Sequence, residues 1–74
     1  MNARRRRQLK DIQYHIEIAV SELEDVIDDE QDSLDNTPEG FHETDAYCEK
    51  EDQLDDIRDA LDDLKSAQET ISSI

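Results

Sequence analysis

Leu9, Ile12, Ile16, Ala19, Leu23 and Val26 follow one another at intervals of three, four, three, four and three residues. A strand returns to the same face every second residue, so this rhythm excludes a strand. It calls for a helix lying against another helix, with these side chains at positions a and d of a heptad. Val20, Ile27 and Leu34 recur every seven residues beside the seam, at e, and widen it to three apolar positions in seven. No Gly or Pro interrupts residues 3–34. One helix of roughly 48 Å is expected there, at 1.5 Å per residue.

The break follows in Asp35-Asn36-Thr37-Pro38-Glu39-Gly40. Pro38 disfavours helix at Thr37, Asp35 and Asn36 favour side-chain-to-backbone turns, and Gly40 permits a positive φ. Thr37 and Pro38 also suit the N-cap and first position of a short helical turn. Phe41, the only Phe, is expected to fold back as a plug over the end of the helices.

Thr44, followed by Asp45, is the cap expected for a second long helix. There Tyr47, Leu54, Ile57, Leu61, Leu64 and Ile71 take a and d, Lys50 and Gln68 interrupt the seam, and Ala60, Ala67 and Ile74 fall at g. The predicted fold is therefore all-α, a single domain over residues 1–74. It is an antiparallel, coiled-coil-like two-helix hairpin with a helix over 3–34, a turn over 35–43 and a helix over 44–73.

A single core in 74 residues rarely supplies more than about 3–5 kcal/mol. Small chains make up the deficit with disulfides, metals or self-association. The one cysteine, Cys48, cannot form a disulfide within the chain and suits a reducing cytoplasm. Self-association remains. The expected seam is Leu9, Ile12, Ile16, Leu23, Val26, Leu54, Ile57, Leu61, Leu64 and Ile71, and the outer flanks of both widened stripes stay open until a second copy completes a four-helix bundle.

Charge is the second constraint. Residues 1–10 carry Arg4, Arg5, Arg6, Arg7 and Lys10 and no acid, while residues 11–74 carry all 22 acids against Lys50, Arg58 and Lys65. The chain is thus +5 at one end and −19 over the rest. Such a body repels nucleic acid and anionic membranes and attracts basic surfaces. Both charge blocks sit at the wrong ends of the first helix for its dipole: the arginines open it, and Asp28, Asp29, Glu30 and Asp32 close it. Packing must override them, or another chain must pair with them. No run of about 18 apolar residues exists for a membrane helix, and no apolar stretch follows the basic N-terminus as in a signal peptide. A cytoplasmic location, in a host cell, is expected.

The residue types that carry chemistry do not assemble into a site. Read as a calcium loop beginning at Asp35, the turn has Gly40 at the sixth place but Pro38 at the fourth and Ala46 at the twelfth, where a bidentate Glu is required. Glu39-Gly40-Phe41-His42 has the Glu-x-x-His spacing of di-iron bundles but lies in the turn, not on a core-facing helix. His15 sits at the margin of the seam, and Glu30 at an a position where the stripe frays. Cys48 and His42 lack a nucleophile elbow or oxyanion hole, and Cys48 reads as a small, partly buried hydrophobe. No metal, cofactor or enzymatic activity is expected.

Two surface features remain. Asp25, Asp28, Asp29 and Asp32 on the first helix, and Asp52, Asp55, Asp56, Asp59, Asp62 and Asp63 on the second, recur at spacings that align carboxylates on one face, as a phosphate backbone aligns its charges. They form either a solubilising surface or a mimic of DNA that binds a basic groove. Arg4–Arg7 form either a tail neutralised by Asp62, Asp63 or Glu69, or a phosphate-binding cluster. Direct binding to duplex DNA is disfavoured by the acidic remainder.

The run Leu23-Glu24-Asp25-Val26-Ile27-Asp28-Asp29-Glu30-Gln31, followed by Leu34-Asp35-Asn36-Thr37-Pro38-Glu39, resembles a group of small acidic helical proteins of Firmicutes phages and mobile elements. These share an acidic helix ending in Glu-Gln and then Asp-Asn-x-Pro-Glu. The basic first turn and Leu54-Asp55-Asp56-Ile57 are similar too, whereas Gly40-Phe41-His42 departs from the pattern. The group has no assigned activity, so no residue role carries over. The resemblance implies a phage or mobile-element setting, in which small acidic proteins often inhibit host defence nucleases.

Three functions are compatible with these residues. The first is inhibition of a host nucleic-acid-binding or defence protein through the acidic faces. The second is an oligomeric sponge for a phosphate-bearing signalling nucleotide at Arg4–Arg7. The third is a structural or assembly coiled coil.

Overall fold

The computed structural model describes all 74 residues. Helix α1 spans Ala3–Asp35, a single 3-10 turn spans Glu39–Phe41, and helix α2 spans Asp45–Ser72. The two long helices run antiparallel as a hairpin 59 × 15 × 14 Å in extent. Their pairing is anchored near both ends: Gln13 Nε2 donates to Ser72 Oγ, and the Arg58 guanidinium donates to Gln31 Oε1 at 2.6 Å.

Each helix starts on a cap. The Asn2 carboxamide oxygen accepts from the Arg5 N–H at 2.9 Å, relieving one orphan donor at an end where four arginines oppose the dipole. Thr44 caps α2 as expected, accepting from the Tyr47 N–H at 3.3 Å while donating to the Phe41 carbonyl at 2.7 Å.

The core is small. Only Val20, Ile27, Leu34 and Leu54 are buried, and Leu23, Tyr47, Ile57 and Leu61 pack around the cluster formed by Ile27, Leu34 and Leu54. On α2 the expected a and d residues face inward. On α1 the seam is rotated by one position from the expected one. Ile12 and Val26 are 48% and 47% exposed, Ala19 is exposed, and the e positions Val20, Ile27 and Leu34 turn inward with Leu9, Ile16 and Leu23.

The reason is volume. Burying Val20, Ile27 and Leu34 removes six more side-chain carbons from water than burying Ala19, Val26 and Ser33, at roughly 0.8 kcal/mol per methylene. A straight helix also drifts about 20° per heptad against a strict seven-residue repeat, which carries the seam from d toward e.

The bend departs from expectation in four places. Thr37 does not cap the short turn. Its hydroxyl donates back to the Ser33 carbonyl at 2.9 Å, and Pro38, at φ −57° and ψ 143°, holds the cap position instead. Gly40 has no positive φ, because a right-handed 3-10 turn reverses the chain without one. Phe41 does not plug the end and is 56% exposed. His42 packs there in its place, its ring stacked on Tyr47 at 4.5 Å between centroids. Its Nε2–H donates to the Thr37 carbonyl at 2.8 Å, a bond that phenylalanine cannot make, and the carbonyl at the bend is thereby satisfied. Cys48 is exposed rather than packed against the seam.

Two expected outcomes arise here. A Cβ on Gly40 would meet nothing within 4 Å, and the residue already has an ordinary φ. Gly40→Ala should therefore stabilise the hairpin by about 0.4–1 kcal/mol through the unfolded chain, read as a raised urea midpoint; a lowered one would contradict this bend geometry. The Tyr47 phenol is pushed above its ordinary value, first by desolvation and then by the charges of Glu51, Asp35 and Cys48. Folding favours the neutral phenol, so this contribution is present below a pH of about 10 and fades as pH rises through the folded value. A phenolate absorbance titration of Tyr14→Phe should give a midpoint above about 10, and a midpoint below it would contradict the assignment.

Candidate functional site

Because α1 and α2 meet through their inner faces, their outer faces point in opposite directions. Asp25, Asp28, Asp29 and Asp32 lie on the outer face of α1. On α2, Asp52, Asp56, Asp59 and Asp63 form the outer ridge, with Asp55 and Asp62 one position round the helix. All ten are exposed, and none accepts a side-chain hydrogen bond within the chain. The runs of carboxylates expected on one face of each helix thus form two ridges on opposite edges of a rod.

The two faces between the ridges differ. One is polar: Gln31, Glu51, Asp55 and Arg58 surround a shallow cleft above Leu34 and Leu54. This side carries mixed charge, with Glu51 and Asp55 beside Arg58. The opposite side is apolar, with Ile12, Ala19 and Val26 of α1 beside Ala60, Ala67 and Ile74 of α2, all exposed. It ends toward the bend in a hollow of about 370 Å³ lined by Val26, Glu30, Ser33, Lys50, Gln53, Leu54 and Ile57. The sequence places Ile12 and Val26 in the hairpin seam, marks Lys50 only as an interruption of that seam, and gives no sign of Gln53. The repeat of Arg5, Ile12, Ala19, Val26 and Ser33 at sevens was the available signal for this face.

The basic cluster stands apart from the acids offered to it. Gln13 lies beside Ser72, so the first two turns of α1 run past the end of α2. Asp62 and Asp63 sit roughly 15 Å down the axis from Ser72, and Glu69 roughly 14 Å along the axis from Arg7, at 1.5 Å per residue. The hydrogen bonds of the chain use no guanidinium of Arg4–Arg7; only the Arg5 backbone is engaged there. Neutralisation by Asp62, Asp63 or Glu69 is thereby corrected: the register fixed by Gln13–Ser72 and Gln31–Arg58 sets all three well below the level of Arg7. Arg6 and Lys10 instead edge a hollow of about 350 Å³ with Gln13 and Ser72, over Leu9, Ile71 and Ile74.

The histidines serve the fold locally. His15 is exposed, with Nδ1 2.7 Å from the Asp11 carbonyl, and His42 is committed to Thr37 and Tyr47. Neither helix is long and apolar enough to cross a membrane. Comparisons with protein-family models, with curated proteins and with solved structures find no match for this chain.

Proposed function

We propose that this chain is a non-enzymatic binding protein of a phage or mobile element, whose acidic surface occupies the nucleic-acid-binding groove of a host defence or DNA-binding protein. One observation carries the reading: residues 11–74 hold 22 carboxylates against three cations, along about 44 Å of the 59 Å rod once the basic first ten residues are set aside at 1.5 Å each. That is about one net charge per 2.3 Å, between the 1.7 Å of duplex DNA and the 3.4 Å of a single strand. The outer carboxylates are exposed and free of partners within the chain, so their charge is available to a basic surface. A partner that binds phosphates meets a comparable line of charge here.

The test is capture of partners from host lysate on the tagged chain at low and moderate salt, identified by mass spectrometry. A basic nucleic-acid-binding protein that is released as salt rises is the expected result. Capture of no such protein would overturn the reading.

A second reading is favoured by the hollow at the open end. Arg6 and Lys10 there offer charge to a phosphate, and Leu9, Ile71 and Ile74 offer an apolar floor to a base. A signalling nucleotide bound in this place should raise the melting temperature of the chain, and an Arg4–Arg7 to Ala variant should lose that shift.

A further inference from the structure

We infer that the apolar side of the hairpin is a self-association surface, on which a second copy of this chain lies antiparallel, the bend of each over the open end of the other. This does not rest on the acidic-surface reading, since the α2 ridge stays outside the pair.

The first argument is area. The chain exposes 5865 Å². A compact monomer of 8.6 kDa is expected to expose roughly 4,700 Å². The excess of about 1,200 Å² exceeds the roughly 800 Å² that each partner covers in a standard interface. With four buried residues in the whole chain, a covered second face is what a core this small lacks.

The second argument is register. The anchors Gln13–Ser72 and Arg58–Gln31 put Ile12 level with Ile74, Ala19 with Ala67, and Val26 with Ala60. Both open stripes are therefore centred on an alanine at the same height. A two-fold axis crossing the helices at Ala19 and Ala67 sets Ala19 on Ala19, Ala67 on Ala67, Ile12 on Val26 and Ile74 on Ala60. The small residues meet at the centre, where the helices approach most closely.

The third argument is charge. The same axis brings Arg4–Arg7 of one copy level with residues 31–34 of the other, within the block Asp28, Asp29, Glu30, Asp32 and Asp35. Helix α1 has no acid in its first turn and no base in its last, so its charges oppose its own dipole. An antiparallel copy of α1 compensates both ends at once. A parallel pair would gather the arginines of both copies at one end and leave them facing no acid block.

Sedimentation equilibrium at low salt tests the pairing, and energy transfer between labels on Cys48 tests its direction. Cys48 is the only cysteine and is exposed, so the natural chain is used. A particle of twice 8.6 kDa is expected. Cys48 lies 19 residues from Ala67 on α2, so the two labels should be roughly 57 Å apart, against about 25 Å or less in a parallel bundle. Val26→Glu adds a carboxylate where the hairpin alone is open, and should give a monomer of unchanged helical circular dichroism. A monomeric natural chain, an assembly of more than two copies, the shorter label distance, or a Val26→Glu dimer would each overturn the proposal.

Discussion

Leu54→Ala is expected to unfold most of the hairpin at 25 °C. Leu54 is the most buried side chain, 3% exposed, and is the only member of α2 in the cluster with Ile27 and Leu34. Truncating a buried Leu costs about 2–5 kcal/mol, and a domain of this size commonly has only about 3–5 kcal/mol in total. The loss is comparable with the whole, so the far-ultraviolet helical signal should fall by more than half.

Ile18→Ala is the control. Ile18 lies on the outer face of α1, 40% exposed, and its truncation should move the urea midpoint little, within about 0.5 kcal/mol. Full helicity in Leu54→Ala would mean that α1 and α2 are not held together at this cluster.

The second large effect concerns the proposed partner. Reversing Asp55, Asp56 and Asp59 to Lys shifts the net charge from −14 by six units on one ridge, without touching the core. An exposed ion pair contributes about 0.2–1 kcal/mol, and reversal turns attraction into repulsion of similar size. Three reversals should weaken a complex with a basic groove by roughly tenfold to ten-thousandfold, with a shallower dependence on salt.

The two ridges point in opposite directions, so one groove grips one ridge. Reversing Asp25, Asp28 and Asp29 on α1 should then affect binding much less. Affinity of a captured partner measured against salt reads both variants. Unchanged binding by the Asp55, Asp56 and Asp59 variant would sink the acidic-surface mechanism.

Much of the architecture was legible before any coordinates, because it follows from local causes. The three–four rhythm marks a helix, Pro38 marks its end, and Thr44 before Asp45 marks the next beginning. Each acts within a few residues of itself. The ends of both helices accordingly fall within one residue of those expected, and the antiparallel hairpin follows from the short connection. Surface charge was legible for the same reason, since ten carboxylates at helical spacings must lie outside.

What was not legible depends on which of two adjacent faces meets the other helix. Positions d and e of α1 are both apolar, and the rhythm alone does not rank them. Residues 36–43 pose the same kind of choice. Phe41 is the more hydrophobic, but His42 is able to satisfy the Thr37 carbonyl and stack on Tyr47, and Gly40 is not needed for a left-handed turn once Pro38 is extended.

The sequence by itself therefore determined two long helices, their ends, their antiparallel pairing and the sign of every surface. Periodicity, caps and charge are properties of neighbours in the chain. Only the tertiary structure decided that Val20, Ile27 and Leu34 are inside and Ile12, Ala19 and Val26 outside. It also decided that the acids split into two ridges and that the arginines overhang the end of α2. Those outcomes depend on how far one helix rotates and slides against the other. That is settled by the volume buried between them, which no residue carries alone.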